Sequence, residues 1–341
     1  MLELCSYFSR ICIVSLFLTI HISGLRFCTC LRTASAFSFP ENKQRQVCVI
    51  DDGLFQKESR SIASSLCIPV FSDLSHDSLD SCTHALELIP YEYDDISTFA
   101  LGIKTLTDAR KNPRKKPPKS KPYIIDFFPQ KNSRMGKRTS GESGTDLLVK
   151  AVAPRRKDDF TIYDLTAGFG QDSLILAQNP AVSDIYMVER DPIVASLLED
   201  GLRRLKLLSE QSEVAEDLSC KLHLRNAQGI DVLISLTQKE EQDRPDICYL
   251  DPMFPPRQKS AAVKKGMQIL HGLLNTQQTG VESLRLEEER QLLEAAIQVS
   301  NVRVVVKRPA KAPPLGGEEG TIHRPSYTVE GSVNRWDIYV K

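Results

Sequence analysis

The sequence has no C-x-x-C pair, no excess of charge of either sign and no uninterrupted apolar run of membrane-spanning length. Its nine cysteines are scattered, so we expect no metal site and interpret the cysteines as buried, reduced thiols. The 44 basic residues are balanced by 44 acidic ones, which excludes a basic overall field; contact with nucleic acid would need local basic patches. The 341 residues, 41% of them apolar, predict a soluble globular chain with one large or two modest domains.

The first 46 residues have the character of a targeting leader. An apolar run, Ile11 to Leu25, is too short and interrupted for a comfortable membrane span but suits a signal-peptide core. The string Ala34-Ser35-Ala36-Phe37 resembles the bipartite leaders of nucleus-encoded plastid proteins in algae with secondary plastids. We therefore expect a signal leader over 1–36, a short transit-like segment over 37–46 and a plastid location, with the mitochondrion or the secretory pathway as alternatives. Once the leader is removed, no stable membrane association is expected.

Three further regions follow the leader. Residues 47–109 alternate short strand and helix patterns and predict a small N-terminal αβ lobe, whose histidines His76 and His84 are expected at the surface. Proline and cationic residues dominate 110–122, which predicts a linker that is either a solvated spacer or a phosphate-contacting arm. In 123–341, strand and helix patterns alternate, which predicts an α/β fold with a mostly parallel, doubly wound sheet. Strands are predicted at 160–164, 184–189, 220–224, 246–251, 301–307 and 335–340, and helices at 172–178, 191–208, 259–274 and 284–299.

A glycine turn lies between the first of these strands and the first helix. Gly168 and Gly170 have no Cβ, so the backbone of this turn can approach a ligand closely. Glu189 closes the next strand pattern, at the distance where a carboxylate typically accepts hydrogen bonds from ribose hydroxyls. The pattern favours a nucleoside-containing cofactor, and the alternative is an ordinary connection with two loop glycines. A dinucleotide-dependent dehydrogenase is disfavoured because Ser173 stands where a third glycine is usual.

A proline-rich string, Asp251-Pro252-Met253-Phe254, ends the fourth predicted strand. A stiff loop of this kind holds carbonyls and a ring in place with little entropy to lose. An exocyclic amine that attacks a methyl group needs acceptors for its N–H bonds and a ring on which its base can stack. Asp251 and the Pro252 carbonyl suit the first need, and Phe254 suits the second. A proline-terminated strand with a core phenylalanine is the structural alternative.

Several strings together resemble the bacterial small-subunit rRNA guanine-N2 methyltransferase J family, which are Rossmann-like class I S-adenosylmethionine-dependent methyltransferases. The resemblance runs from about Val47 to the end of the chain. Of the six strings, which are listed next in chain order, the first two are generic to the fold and the last three are specific to the family. They are Asp164-x-Thr-Ala-Gly-x-Gly-x-Asp172, Glu189-Arg190-x-Pro192, Leu197-Leu198-x-Asp200-Gly201-Leu202, Tyr249-Leu250-Asp251-Pro252-Met253-Phe254-Pro255, Gln258-Lys259-Ser260-Ala261-x-Val263-Lys264-Lys265 and Val304-Val305-Val306-Lys307-Arg308-Pro309.

The resemblance implies methylation of N2 of a guanosine in 16S-type rRNA, either free or within the assembled small ribosomal subunit, with S-adenosyl-L-methionine as cofactor. Gln171 stands where bacterial relatives usually carry Arg, and the turn at 226–229 departs from the serine-type turn expected there. Candidate catalytic residues are Asp251, Pro252 and Phe254. Candidate cofactor contacts are Asp164, Gly168, Gly170, Gln171, Asp172, Glu189, Arg190, Gln228, Gly229 and Asp251. Candidate RNA contacts are the basic residues Arg257, Lys259, Lys264, Lys265, Lys307 and Arg308.

Two other functions compete with this prediction. The first is a methyltransferase of the same fold that acts on adenine N6 or on a protein glutamine. The second is a catalytically silent rRNA-binding assembly factor, against which the intact Asp-Pro-Met-Phe string argues.

Overall fold

The computed structural model describes residues 47–72, 82–106, 121–139, 146–154, 159–252, 265–275, 282–315 and 323–341. All of these belong to one compact unit that runs from Gln44 to Lys341. The predicted leader, most of the predicted linker and the residues 253–264 lie outside the described residues. No helix within the described ranges is long and apolar enough to span a membrane.

The first sheet is built from residues near the N-terminus and has the strand order β2-β1-β3-β4-β5. Strand β1 is parallel to β2 and β3, whereas β3 and β5 are antiparallel to β4. The strands are β1 (Val47–Ile50), β2 (Val70–Phe71), β3 (His84–Tyr93), β4 (Ile96–Thr105) and β5 (Tyr123–Ile124).

The second sheet has seven strands in the order β11-β12-β10-β9-β6-β7-β8. The five strands from β10 to β8 in this order are parallel, and β12 runs antiparallel to both β10 and β11. Because parallel strands end at one edge, the carboxyl ends of β6, β7, β8, β9 and β10 share a rim. The strands are β6 (Phe160–Asp164), β7 (Val182–Glu189), β8 (Leu222–Asn226), β9 (Ile247–Leu250), β10 (Arg303–Pro309), β11 (Tyr327–Glu330) and β12 (Asn334–Val340).

The helices cover the faces of these sheets. The start of helix α5 is determined by its sequence. Asp191 accepts hydrogen bonds from the N–H groups of Ile193 and Val194, and Pro192 occupies the first turn. The described helices are α1 (Gln56–Leu66), α2 (Arg134–Thr139), α3 (Leu147–Val152), α4 (Gln171–Ala177), α5 (Pro192–Leu208), α6 (Glu213–Lys221), α7 (Gly229–Thr237), α8 (Lys265–Asn275) and α9 (Glu282–Val299).

Helix α5 connects the two sheets through a buried ion pair. The Asp200 carboxylate accepts from the N–H of Leu101 in β4 at 2.8 Å and from the Arg204 Nε at 2.9 Å. The same guanidinium donates to the carbonyl of Ile125, and Arg204 is 2% exposed. Both partners are satisfied, as buried charges require, so α5 fixes the first sheet against the second.

The predicted elements are largely confirmed, with four corrections. Helices α6 and α7 were not predicted; α7 is rich in β-branched residues, which favour strands, and it is helical because its apolar face packs on α9. Strand β8 begins at Leu222 because α6 extends to Lys221. His84 is buried rather than exposed, and burial lowers its pKa to about 4. Cys67 and Cys220 are exposed, whereas the other three described cysteines are buried as predicted.

Candidate active site

The glycine turn has the backbone that its sequence predicts. Gly168 and Gly170 have φ angles of +54° and +67°, a region where an L side chain is strained. A Cβ at Gly170 would also lie 2.9 Å from the ring of Phe127. The turn therefore requires glycine at both positions because of the backbone angle, and at Gly170 also because of the neighbouring ring.

Glu189 at the end of β7 is bonded directly to this turn. One of its carboxylate oxygens accepts from the Gly168 N–H at 2.9 Å, and the other accepts from the Asp191 N–H at 2.8 Å. The residue is 8% exposed, and burial raises the pKa of its carboxyl to about 7. Since a carboxylate has about four lone-pair sites, both oxygens can still accept a bond from a ligand hydroxyl.

Asp164 at the end of β6 ties the strand to the turn and to helix α4. It accepts from the Ser173 hydroxyl at 2.5 Å and from the Thr166 N–H at 3.3 Å. Its carboxyl is buried, and burial raises its pKa to about 7. Asp164, predicted as a cofactor contact, therefore supports the turn from beneath in this structure.

A lysine joins two of the predicted site carboxylates. The Lys307 ammonium donates to Asp172 at 2.6 Å and to Asp251 at 2.8 Å. Asp172 also accepts from the Tyr249 hydroxyl at 2.7 Å. Burial alone would lower the pKa of Lys307, but the two carboxylates raise it above its usual value. Helix α4, strand β9 and strand β10 therefore meet at one charged cluster.

Asp251 lies beside the glycine turn, as the sequence predicts. Its N–H donates to the Thr166 hydroxyl at 2.6 Å, so β9 ends against the turn. Its side chain is 37% exposed. Burial by its neighbours raises the pKa of the carboxyl, and the positive charge of Lys307 opposes that rise. Pro252 follows at the same rim, while Phe254 lies outside the described residues.

Gln171 begins α4 and points toward the first sheet. Its amide donates to the Tyr123 hydroxyl at 3.0 Å, and the Tyr123 ring stacks on Phe169 with centroids 5.0 Å apart. A pocket of about 130 Å³ opens beside this stack, with Met135 and Gly170 in its wall. Gln171 is exposed and uncharged at a position adjacent to the site carboxylates.

The remaining predicted cofactor contacts lie along the ends of β7 and β8. Arg190 and Gln228 are exposed. Gly229 begins α7, and a Cβ there would lie 3.1 Å from the Leu165 carbonyl oxygen. The Asn226 amide donates to the Glu189 carbonyl at 2.8 Å, which holds the two strand ends together. The structure thus brings these residues to the same rim as the glycine turn.

The predicted RNA contacts separate into three groups. Arg257, Lys259 and Lys264 lie outside the described residues. Lys265 is exposed at the start of α8, and its ammonium donates to the Lys121 carbonyl. Lys307 and Arg308 are not surface cations: Lys307 bridges the site carboxylates, and Arg308 is 2% exposed beside Glu289. Their predicted contact with RNA phosphates does not agree with this burial.

Sequence reasoning missed the bridge because it depends on how strands β9 and β10 pair in the fold. The register of β10 and β9 pairs Val305 with Tyr249 and Val306 with Leu250. One step further along both strands, Lys307 comes beside Asp251. Because side chains alternate along a strand, the Tyr249 side chain, two residues before Asp251, points to the same face of the sheet.

Comparison with known proteins identifies the class of this fold and site. Residues 88–341 match the family described as "Putative SAM-dependent methyltransferase". A solved structure of the SAM-dependent methyltransferase from Neisseria gonorrhoeae superposes with a TM-score of 0.56 at 25% identity, covering 86% of this chain and 95% of that one. The protein is therefore a SAM-dependent methyltransferase with the predicted class I fold, and its cofactor is S-adenosyl-L-methionine.

Curated relatives narrow the class further. The ribosomal RNA small subunit methyltransferase J of Thioalkalivibrio sulfidiphilus is 36% identical over 220 residues, which is 64% of this chain and 76% of the relative. Its namesake in Pseudomonas paraeruginosa is 32% identical over 275 residues, covering 79% of this chain and 93% of the relative. This chain belongs to the ribosomal RNA small subunit methyltransferase J family.

The residues of the rim fit the cofactor of this family. Gly168 has a positive φ angle and no Cβ, which leaves a backbone cradle at that point of the turn, and Glu189 retains lone pairs for the hydroxyls of a ribose. The cluster of Asp172, Lys307 and Asp251 carries a net charge of about −1 when all three are ionised. A cationic sulfonium is compatible with such a charge.

Proposed function

We propose that this enzyme methylates the exocyclic N2 amine of a guanosine in small-subunit, 16S-type rRNA. The observation that carries the proposal is the position of Asp251, whose carboxylate is partly exposed at the rim and whose N–H is bonded to Thr166 of the glycine turn. An acceptor for an amine therefore stands next to the backbone cradle. The names of the relatives, which specify small-subunit ribosomal RNA, support the choice of substrate.

The proposed roles follow from this arrangement. When bound, S-adenosyl-L-methionine would supply an electrophilic methyl group, with the S–C bond breaking as the N–C bond forms, a neutral thioether as the leaving group and one amine proton released to water. Asp251 accepts an N–H of the guanine amine and orients its lone pair toward the methyl group, with the Pro252 carbonyl as second acceptor. Phe254 is proposed as the stacking surface for the base. The chain contributes mainly by positioning, which is worth roughly 7–11 kcal/mol in favourable intramolecular reactions.

The cofactor contacts proposed on this rim are the glycine turn, Glu189 and the ends of β7 and β8. Glu189 is placed to accept from the ribose, and the absence of a Cβ at Gly168, with its positive φ angle, lets a cofactor approach the backbone of the turn closely. The full proposed set is Gly168, Gly170, Gln171, Asp172, Glu189, Arg190, Gln228, Gly229 and Asp251, whereas the buried Asp164 supports the turn from beneath.

A direct assay tests the proposal. Purified enzyme is incubated with methyl-labelled S-adenosyl-L-methionine and either naked small-subunit rRNA or small ribosomal subunits that lack N2-methylguanosine. Nucleosides are then separated and identified by mass spectrometry. We expect label in N2-methylguanosine with at least one of the two substrates. Label in N6-methyladenosine, or in protein, would replace the proposal with the corresponding alternative, and no transfer to either substrate would favour a silent assembly factor.

We also propose, from the sequence alone, that residues 1–46 direct the enzyme to a plastid. The apolar run from Ile11 to Leu25 and the Ala34-Ser35-Ala36-Phe37 string support this proposal. A fusion of residues 1–46 to a fluorescent protein, expressed in an alga with secondary plastids, should accumulate in the plastid. A Phe37→Ala fusion should be retained outside the plastid stroma. Accumulation of the unchanged fusion in mitochondria or in the medium would contradict the plastid assignment.

A further inference from the structure

The charged cluster at the end of β9 and β10 has an unusual division of hydrogen bonds. Lys307 donates to the Oδ2 atom of Asp251 and to the Oδ2 atom of Asp172. Within the described part of the chain, no donor reaches Oδ1 of Asp251. The Tyr249 hydroxyl also donates a hydrogen bond to Asp172. The lysine therefore holds one oxygen of Asp251 and leaves the other oriented for another partner.

We propose that Lys307 is a positioning residue that keeps Asp251 ionised and turned so that its Oδ1 atom accepts the N–H of the amine to be methylated. This inference rests on the proposed function. Lys307 is 19% exposed and Asp172 is 14% exposed, so the lysine is shielded from solvent while Asp251 reaches the rim. Lys307 is itself held by Asp172, which Tyr249 holds in turn, so the hydrogen bond to Asp251 comes from an anchored donor that restricts the orientation of the carboxylate.

The lysine also sets the charge of the cluster. Two carboxylates bonded to one ammonium lie close together, and without that cation one of them would be disfavoured in its ionised form. The other titratable or charged groups that interact electrostatically with the cluster are Asp164, Tyr249, Arg138, Asp146 and, from the opposite face of β10, Arg308. Arg138 and Asp146 neutralise each other in an ion pair at 2.6 Å, so Lys307 is the cation that contacts both site carboxylates.

The first test compares the pH dependence of methylation in three variants. In Lys307→Met, kcat/KM at pH 7 should fall at least 100-fold, and the acid limb of the pH–rate profile should move upward by at least one pH unit. The direction follows because the positive charge of Lys307 lowers the pKa of the Asp251 carboxyl, so its loss raises that pKa and a higher pH is needed to ionise Asp251. Lys307→Arg should keep the acid limb within about half a unit of the wild type, because the charge is retained. In Lys307→Met/Asp172→Asn the limb should return toward the wild-type position.

Lys206→Met, at an exposed position of α5, serves as the matched control and should leave the profile unchanged. A merely structural role for Lys307 would lower the rate without moving the acid limb, and that result would overturn the proposal. An acid limb that Asp172→Asn does not restore in the double variant would overturn it as well. If Lys307→Met alone does not fold, Lys307→Gln takes its place in the same comparison, with the same expected shift of the acid limb.

A second measurement separates this inference from the proposed function. The carboxyl carbon of Asp251 is followed by ¹³C NMR in enzyme without RNA, with Asp251→Asn used for assignment. The titration midpoint should be at least one pH unit higher in Lys307→Met than in the wild type, whatever the substrate is. Equal midpoints would refute the role of Lys307 even if rRNA is methylated, whereas a shifted midpoint with no rRNA methylation would refute only the proposed function.

Discussion

Each face of strand β10 carries a basic residue paired with carboxylates, but the two clusters differ in their exposure to solvent. On one face Lys307 is bonded to Asp172 and Asp251, and the cluster reaches the rim because the Asp251 side chain is 37% exposed. On the other face Arg308 lies 3.8 Å from Glu289, with exposed fractions of 2% and 7%. Arg308 also donates to the Pro313 carbonyl, which holds the loop after the strand.

This difference shows that adjacent basic residues can serve separate purposes. An open cluster can exchange a hydrogen bond with a ligand, since one carboxylate oxygen faces the rim. A closed cluster cannot do so, and breaking it removes a partner from a buried charge. We therefore expect mutations on the Lys307 face to change catalysis first, and mutations on the Arg308 face to change stability first.

The largest effect is expected for Asp251→Ala on the open face. Removal of the acceptor should lower kcat by about 10³-fold, since the amine loses the group that orients it. The side chain is partly exposed, so the free energy of unfolding should change by less than about 1 kcal/mol. Single-turnover methylation and urea denaturation measure the two quantities. Turnover near the wild-type rate would show that Asp251 is not the acceptor.

Arg308→Met on the closed face should act in the opposite way. Glu289 would remain buried with Arg285 as its cation, so the unfolding free energy should fall by less than the about 3–5 kcal/mol that a charge left with no partner costs, but by more than for Asp251→Ala. The activity of the folded fraction should stay within about threefold of the wild type. Urea denaturation and RNA affinity are measured together. Unchanged stability combined with weakened RNA binding would restore Arg308 as an RNA contact and break the comparison.

Asp164→Asn extends the comparison to a buried carboxylate whose hydrogen-bond donors carry no charge. These donors are a hydroxyl and a backbone N–H. Its folded pKa of about 7 lies above the usual value, so it contributes stability that is full below about pH 4 and lost as pH rises through 7. The stability of Asp164→Asn relative to the wild type should therefore increase by about 1–3 kcal/mol between pH 5 and pH 8. Denaturation at both pH values measures this.

The control for that experiment is Asp159→Asn, an exposed carboxylate in a left-handed conformation that Asn tolerates. Its stability relative to the wild type should not depend on pH. A pH-independent difference for Asp164→Asn would mean that its carboxyl titrates normally in the folded protein.

The smallest effect is expected for Lys265→Ala, which tests the remaining exposed member of the predicted RNA contacts that the structure describes. If this lysine contacts a phosphate, RNA affinity should fall by a few-fold and the slope of log K against log salt should decrease by about 1. Binding titrations at several salt concentrations measure both. An unchanged slope would remove Lys265 from the proposed RNA contacts.

Local sequence patterns were sufficient to predict most strands of the second sheet and the residues at its rim. The glycine turn, Glu189 and Asp251 each follow a strand pattern, so their common location follows from the rule that parallel strands end at one edge. Helix α7 could not be predicted in this way, because its β-branched residues favour a strand and only packing on α9 selects the helix. His84 shows the same limit, since its polar neighbours in sequence are not its neighbours in the fold.

The sequence by itself determined the family, the class I fold, the cofactor and the residues that mark the rim, because these depend on strand periodicity, turn glycines and specific strings. Only the tertiary structure decided what each charged side chain does. Lys307 and Arg308 are indistinguishable as neighbours in the chain, but the alternation of a strand sends them to opposite faces. Their partners, Asp172, Asp251 and Glu289, come from other elements of the chain, and a pairing of that kind is fixed only when the elements pack.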